Sequence, residues 1–165
     1  MIVLDASALV ELILDTPIGH LIVARISDPA ESLHAPHLAD IEVVQALRRY
    51  VREGDIDAEA AAAALDDFRA LDLQRHAHEP LLGRVWELRE NLTAYDGVYV
   101  ALAEVLDGVL LTCDGPLSRA PGLAGRVVLV TLPETRHAES SDPKHEPGER
   151  PRAATRRTRV TRVRK

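Results

Sequence analysis

The chain has 165 residues, the length of one domain, and 46% of them are hydrophobic, enough to form a buried core. Only 3% are aromatic, so extended base-stacking platforms are not expected. The one cysteine, Cys113, excludes an intrachain disulfide and a thiolate zinc site, and its apolar neighbours predict a buried strand position. With no signal-peptide pattern and no apolar stretch of about 18 residues, the sequence predicts a cytoplasmic protein without a membrane segment.

The formal net charge of -6 hides a contrast along the chain. Residues 1–132 hold 10 Arg, no Lys and 21 acidic residues, whereas residues 133–165 hold 10 basic and 5 acidic residues. The second segment has few large apolar side chains, so it cannot bury enough surface to offset the entropy of ordering. We therefore expect an acidic folded domain over 1–132 and a disordered, basic, Arg-rich tail over 133–165. The tail either binds polyanions non-specifically or is a solvated extension without a specific role.

The hydrophobic pattern predicts strands that alternate with helices. Ile2, Val3 and Leu4 form a continuous apolar run, typical of a parallel strand buried on both faces. The elements predicted after it, in chain order, are helices over 6–14 and 17–27, a short strand over 32–35, helices over 38–52 and 57–71, a weak strand over 71–76, helices over 80–91 and 95–106, and strands over 109–113 and 127–132. This alternation indicates an α/β fold with a largely parallel sheet.

The helix predicted over 38–52 carries one apolar stripe, formed by Ile41, Val44, Leu47 and Val51. Periodicity alone does not tell whether such a stripe faces the core or a partner protein. The helix predicted over 95–106 is apolar on most sides, so we expect it to be buried.

Four acidic residues are candidates for one edge of the predicted sheet. Asp5 and Asp114 each end a strand, Asp96 lies in the first turn of the 95–106 helix, and Glu42 projects from the 38–52 helix. In open parallel sheets, ligands and catalytic groups collect beyond the carboxyl ends of the strands. The same acids also have structural interpretations that need no active site: an N-cap for Asp5, the acidic half of a capping box for Asp96, a turn for Asp114 and a solvated helix position for Glu42.

The order and spacing of four sequence blocks resemble those of PIN domains, specifically the VapC type of toxin ribonuclease. The blocks are IVLDASALVE, DIEVVQALRR, AYDGVYVALAE and LLTCDGPL, and the resemblance covers residues 1 to about 132. It implies a PIN-like three-layer α/β/α fold with a mostly parallel central sheet of about five strands. It also implies that the acidic quartet of the family corresponds to Asp5, Glu42, Asp96 and Asp114, and its small polar supporting positions to Ser7 and Thr112.

The chemistry of such a quartet points to a hard cation. Four converging carboxylates repel one another and raise their own pKa values unless a cation lies among them. Oxygen ligands predict Mg²⁺, with Mn²⁺ as the alternative, and the implied reaction is metal-assisted hydrolysis of RNA phosphodiester bonds. We expect Asp5, Asp96 and Asp114 to hold the metal directly or through water, and Glu42 to position a metal-held water or to transfer a proton.

Two small polar residues are expected to support the quartet. Ser7 and Thr112 would orient its carboxylates by hydrogen bonds, with ordinary helix-start and strand-end roles as the alternative. The sequence departs from the family at Pro116, where many members carry a further acid, and this departure weakens the expectation of a second metal ion.

An acidic domain that cuts RNA needs positive groups to contact phosphate. The cation supplies part of that charge. The candidates for the rest lie one turn or more beyond Glu42 on the same helix, and they are Arg48, Arg49 and Arg52. A solvated helix face is the alternative interpretation of all three.

Two pairs of histidines have the spacing of metal ligands: His34 with His37, and His76 with His78. Without cysteine ligands or an H-E-x-x-H pattern, the pairs do not indicate a zinc site.

Two other families with an acidic pocket at strand ends fit less well. A phosphoacceptor receiver domain would need paired acids after the first strand and a late lysine, but Asp5 has no acidic neighbour and the only lysines, Lys144 and Lys165, lie in the tail. A haloacid-dehalogenase-type phosphatase would need an acid where Ser7 stands.

The resemblance also implies partners. A VapC-type ribonuclease is usually the toxin of a toxin-antitoxin pair, forms a homodimer and is covered by a VapB-like antitoxin. The alternatives are a PIN-domain nuclease of RNA processing outside such a pair, and a PIN fold that binds without catalysis.

Overall fold

A computed structural model describes residues 1–121, 123 and 126–133, in which helices cover a parallel sheet in a three-layer α/β/α arrangement. The sheet has five strands: β1 (Ile2–Leu4), β2 (Leu33–Pro36), β3 (Leu73–His76), β4 (Val109–Thr112) and β5 (Val127–Leu129). All neighbours pair in parallel, in the order β3-β2-β1-β4-β5. The predicted α/β fold and its parallel sheet are confirmed.

Helices connect the strands. They are α1 (Ala6–Ile13), α2 (Pro17–Ile26), α3 (Leu38–Glu53), α4 (Ala58–Ala70), α5 (Leu82–Glu87), α6 (Ala94–Val105) and α7 (Gly115–Ser118), with a 3-10 turn over Glu79–Leu81 before α5. Helix α1 packs against α2, α3 and α4, whereas α6 packs on β1, β2 and β4 and against α5. Helix α6 therefore covers the central strand β1 and its two neighbours, β2 and β4.

The core centres on β1, β4 and α6. Val3, Leu4 and Leu110 are fully buried, and every residue of α6 from Gly97 to Ala103 is buried, as its apolar sequence predicts. Parallel pairing of Leu4 with Leu111 places the carboxyl ends of β1 and β4 side by side. The residues that follow these two strands consequently meet at one edge of the sheet.

Sequence signals explain where several helices begin and end. Thr16 caps α2 by accepting from the Gly19 amide, and Pro17 occupies the first turn, where its missing N–H costs nothing. Gly54 ends α3 in the left-handed region, with φ of 83°. At Gly19 a Cβ would lie only 2.2 Å from the carbonyl oxygen of Glu11, so close packing of α2 on α1 requires glycine there.

Three predictions about local structure need correction. The helix predicted over 80–91 is only α5, preceded by the 3-10 turn, and its Leu82 and Trp86 are exposed. The turn predicted at Asp114 is instead the N-cap of the short helix α7. Cys113 lies one residue beyond β4 and is half-buried rather than inside the strand, and burial raises the pKa of its thiol to about 11.

The apolar stripe of α3 is divided between core and solvent. Leu47 is buried, but Ile41 and Val44 are 69% and 45% exposed. Ala39 and Val43 face the core with Leu47, at a spacing of four residues, so these three side chains form the inward face of the helix.

No single helix in the described part of the chain is long and apolar enough to cross a membrane; α1 and α2 reach that composition only as a pair bent by 107°. The predicted disordered tail lies outside the described residues, except for Pro133.

Candidate active site

Asp5 is the most constrained of the four acids. It follows β1, caps α1 and is buried. Its Oδ2 atom accepts hydrogen bonds from the hydroxyls of Ser7, at 2.9 Å, and Thr112, while its Oδ1 accepts from the Ser7 amide at 3.2 Å. Burial raises the pKa of this carboxyl despite the hydrogen bonds, and the nearby charge of Asp114 raises it further.

The hydroxyls that hold Asp5 also tie the ends of β1 and β4 together. Ser7 Oγ accepts from the Cys113 amide at 2.9 Å, and Thr112 Oγ1 accepts from the Asp114 amide at 2.9 Å. Both hydroxyls therefore donate to one carboxylate and accept from the loop that leads into α7. The structure places Ser7 and Thr112 against Asp5, as expected from the sequence, while their part in catalysis stays a prediction.

Glu42 is half-buried on α3 and contacts helix α6. Its Oε2 accepts a hydrogen bond from Tyr99 of α6. Burial raises the pKa of Glu42, the Tyr99 hydroxyl opposes that shift, and the charges of Asp5 and Asp96 add to it. Tyr99 is 2% exposed, and burial together with Glu42 raises the pKa of its phenol. Glu42 is thus a carboxyl that takes up a proton more readily than an exposed glutamate.

Asp96 and Asp114 lie at the N-termini of helices and are more open to solvent. Thr93 Oγ1 donates to Asp96 Oδ2 at 2.7 Å and accepts from the Asp96 amide at 3.1 Å, so the Asp96 carboxylate contacts the Thr93 hydroxyl rather than the Thr93 amide that a full capping box would use. Asp114 is exposed and accepts from the Leu117 amide at 3.1 Å. Each of these bonds stays within the local helix turn, and each carboxylate retains acceptor capacity toward solvent.

The four acids therefore form two pairs, called here the inner pair, Asp5 and Glu42, and the outer pair, Asp96 and Asp114. The pairs are electrostatically linked, since Asp114 raises the pKa of Asp5 and Asp96 raises the pKa of Glu42. Asp5 and Asp114 thus follow the neighbouring strands β1 and β4, and the charges of Asp5 and Asp96 act on Glu42, while a single site shared by all four acids stays a prediction. The N-cap interpretation holds for Asp5, and Asp114 caps α7 instead of forming the predicted turn, so both acids also have a structural role.

The donor set suits a hard cation that keeps part of its water shell. Among residues 1–121, 123 and 126–133, no three His, Cys, Asp or Glu side chains lie close enough to hold a metal by themselves. Mg²⁺ is usually held by one or two carboxylates with waters and substrate phosphate oxygens, so it does not need a complete protein cage. Repulsion among linked carboxylates also favours a cation between them. The residues present fit Mg²⁺ or Mn²⁺ better than a thiolate or imidazole metal.

The three arginines predicted to contact RNA do not share one surface. Arg49 lines two clefts beside the acids, one with Glu42 and one with Ser7. Its guanidinium stacks 5.2 Å from the Tyr50 ring centroid. Arg48 and Arg52 instead line a groove of about 340 Å³ between α3 and α4. Arg49 is therefore the arginine of this set that faces the acids.

The four histidines pair across the strands β2 and β3 rather than within each sequence pair. His34 Nδ1 lies 3.0 Å from His76 Nε2, and His34 Nε2 lies 2.8 Å from Ser32 Oγ. His78 Nε2 accepts from the Leu38 amide at 2.9 Å, and its ring meets His37 edge-on. Hydrogen bonds account for the rings of His34, His76 and His78, and the His37 ring packs against that of His78.

Tyr99 is the residue at this site that sequence reasoning missed. It follows Asp96 by three positions, so the two side chains share one side of α6. Tyr99 is the one hydroxyl-bearing ring within the buried run from Gly97 to Ala103, where it needs a hydrogen-bond partner, and this was the signal available in the sequence. The partner, Glu42, is 57 residues away, so the sequence alone did not identify it.

Comparisons with known proteins show which family and which relatives the chain resembles. Residues 2–123 match the family model described as the PIN domain. The chain is 41% identical over 130 residues to Ribonuclease VapC12 of Mycobacterium tuberculosis, covering 79% of this chain and 99% of that protein. It is 43% identical over 129 residues to Ribonuclease VapC1 of the same organism, covering 78% and 96%. Among solved structures, PAE2754 from Pyrobaculum aerophilum matches with a TM-score of 0.57 and 25% identity, covering 78% of this chain and 88% of that one.

Proposed function

This chain belongs to the PIN-domain family and is a relative of the VapC ribonucleases, and on that premise we propose that it is the endoribonuclease toxin of a toxin-antitoxin pair. Its substrate is RNA, its reaction is hydrolysis of a phosphodiester bond, and its cofactor is Mg²⁺ or Mn²⁺. The supporting observation is that Asp5 and Asp114 follow the paired strands β1 and β4, while Tyr99, on the same helix as Asp96, donates a hydrogen bond to Glu42.

The residues of the site have different roles in the proposed reaction. Thr112 and Ser7 fix Asp5, so this carboxylate presents its oxygens without reorganising. Asp96 and Asp114 complete the oxygen donors from helix N-termini. A bound cation supplies positive charge to the scissile phosphate and lowers the pKa of the attacking water.

Glu42 is the group in this site best suited to accept a proton. Burial raises its pKa toward the range in which a carboxylate acts as a base near neutral pH. Tyr99 holds one of its oxygens, which leaves the other free to contact water. Arg49, in the same cleft, contacts the phosphate backbone.

The partners follow from family membership. The toxin is held inactive by a VapB-like antitoxin, acts as a homodimer and works in the cytoplasm without a membrane partner. The exposed Ile41 and Val44 of α3 offer apolar surface for a protein contact.

Removal of one outer carboxylate tests the catalytic part of this proposal. Asp114→Asn keeps an oxygen that caps α7, so the fold is expected to survive while RNA cleavage falls. The loss should exceed the roughly 10–100-fold cost of removing a residue that only supports a metal ligand. Cleavage of a single-stranded RNA is measured with Mg²⁺, with Mn²⁺ and with EDTA.

The matched control is Asp66→Asn, which removes an exposed helix carboxylate paired with Arg69 away from the site. It should cut RNA like the wild type. Cleavage by Asp114→Asn at the wild-type rate, or full activity in EDTA, would contradict the proposal.

A further inference from the structure

One aromatic ring beside the acids, that of Tyr95, is largely exposed to solvent. Tyr95 is 64% exposed, whereas Phe68 and Tyr99 are 2% exposed and Tyr50 is half-buried. Within the described part of the chain, the Tyr95 phenol makes no side-chain hydrogen bond and its ring stacks on no cation. The apolar faces of such a ring become buried only when another molecule binds against them.

Tyr95 lies at the entrance to the acidic site. It immediately precedes Asp96 in the first turn of α6. With Glu42 and Arg49 it lines a cleft of about 280 Å³, which Ile41, 69% exposed, also borders. The cleft thus combines an aromatic ring and an aliphatic side chain with a guanidinium and a carboxylate.

These groups match the parts of one nucleotide. A nucleobase is flat and apolar on its faces, and its phosphate is an anion that an arginine contacts. Proteins that bind single-stranded RNA stack unpaired bases on exposed aromatic side chains, or between an aromatic and an apolar side chain. A phosphate held at the carboxylates and their cation leaves the attached base within reach of the residue next to Asp96.

We propose that Tyr95 stacks on the base of a nucleotide adjoining the scissile phosphate and so positions single-stranded RNA for cleavage. The inference rests on the proposed ribonuclease function and adds a substrate-binding residue to it. Stacking does not distinguish bases by hydrogen bonds, so Tyr95 contributes affinity and strand position rather than base identity.

A protein partner is the competing occupant of this surface. On its other side Tyr95 borders a mostly apolar pocket, lined by Leu38, Leu82, Val85 and Val98 together with His78. The nucleotide is favoured because Arg49 and Glu42 share the cleft with the ring, whereas no arginine, lysine or acid lines the apolar pocket. The two occupants predict different results when the ring is removed.

The test compares Tyr95→Ala and Tyr95→Phe with Trp86→Ala. Trp86 is an equally exposed aromatic, 69% exposed, but it does not line the cleft and Arg89 covers its ring. Steady-state cleavage of single-stranded RNA in Mg²⁺ should show KM raised about tenfold by Tyr95→Ala, the scale of one lost base stack, with kcat within about twofold. Tyr95→Phe and Trp86→Ala should match the wild type.

A second arm uses RNA that lacks one base at successive positions around the cleavage site. At one position the abasic substrate should raise the KM of the wild type as much as Tyr95→Ala raises the KM for intact RNA. When Tyr95→Ala cleaves that same abasic substrate, KM should rise no further than with either change alone. Additive losses at every position would overturn the inference.

The remaining outcomes are also decisive. A wild-type protein that cuts no RNA would overturn the proposed function and this inference with it. A cleaving wild type that Tyr95→Ala matches in KM would overturn the inference alone. A change of mass in solution for Tyr95→Ala, with KM unchanged, would assign the ring to a protein interface instead.

Discussion

The inner and outer pairs of carboxylates are built in different ways. Asp5 is buried and held by hydroxyls from two separate segments, and Glu42 is half-buried and held by a buried tyrosine. Asp96 and Asp114 are bound only within their own helix turns and lie nearer to solvent. Burial raises both pKa values of the inner pair, so the protein itself makes these charges costly.

This difference in hydrogen bonding and burial shows how a small domain assembles a charged site. The inner pair is fixed by long-range contacts between β1, β4, α3 and α6, so its geometry depends on the whole fold. The outer pair is fixed locally and remains open to water, cation and substrate. We therefore expect a loss of support to harm the inner pair more than the outer pair.

Of the variants that separate the two pairs, Thr112→Val should lose the most stability and RNA cleavage. Valine keeps the shape of the side chain but removes the hydroxyl that donates to Asp5 and accepts from the Asp114 amide. The buried carboxylate loses a donor, so the free energy of unfolding should fall by about 1–3 kcal/mol. RNA cleavage should fall by about 10–100-fold, as when a residue that orients a metal ligand is removed.

The same substitution at the outer pair is the matched control. Thr93→Val removes the hydroxyl that donates to Asp96, but water can replace it, and the loss of the helix cap should cost about 1 kcal/mol. Urea unfolding and cleavage assays of both variants compare the pairs directly. Equal losses of cleavage in the two variants would remove the distinction between inner and outer pairs.

The parts of this structure that follow from local sequence were predictable, and those that depend on distant contacts were not. Strand β1 ends just before Asp5, and Thr93 caps α6 by accepting from the Asp96 amide; both features were predictable because neighbouring residues set them. The short helix α7 was missed because a turn dipeptide also starts a helix when its aspartate caps it. The contact of Tyr99 with Glu42 was missed because it joins α6 to α3.

The exposure of Ile41 and Val44 is a second feature that depends on tertiary packing and was not predictable from local sequence. The predicted stripe contained Ile41 and Val44, whereas the buried face of α3 consists of Ala39, Val43 and Leu47. Periodicity alone does not report which face of a helix packs against the core.

The free energy of unfolding should also depend on pH through Glu42 of the inner pair, and we expect this effect to be smaller than that of Thr112→Val. The pKa of Glu42 is raised above its ordinary value of 4.5, chiefly by burial, so the native state binds its proton more tightly than the unfolded state does. Its contribution to the free energy of unfolding is complete below the ordinary value and is lost as the pH rises through the raised pKa. Without metal, the wild type should therefore become less stable than Glu42→Gln as the pH rises.

Melting temperatures in EDTA between pH 5 and pH 7.5 measure this effect. The difference between Glu42→Gln and the wild type should grow with pH in favour of the variant, and Mg²⁺ should reduce it. A pH-independent difference would show that burial does not tune Glu42 as described.

The most direct test of the shared metal site is Asp96→Asn, melted with and without Mg²⁺ and assayed for RNA cleavage. Asparagine keeps an oxygen for the Thr93 hydroxyl but removes the charge that repels Glu42. We predict that cleavage is lost, that metal-free stability is kept or raised, and that Mg²⁺ stabilises the wild type far more than the variant. At a hundredfold excess over Kd the wild type should gain about 2.7 kcal/mol. An Asp96→Asn protein that still cuts RNA and responds to Mg²⁺ like the wild type would contradict the account.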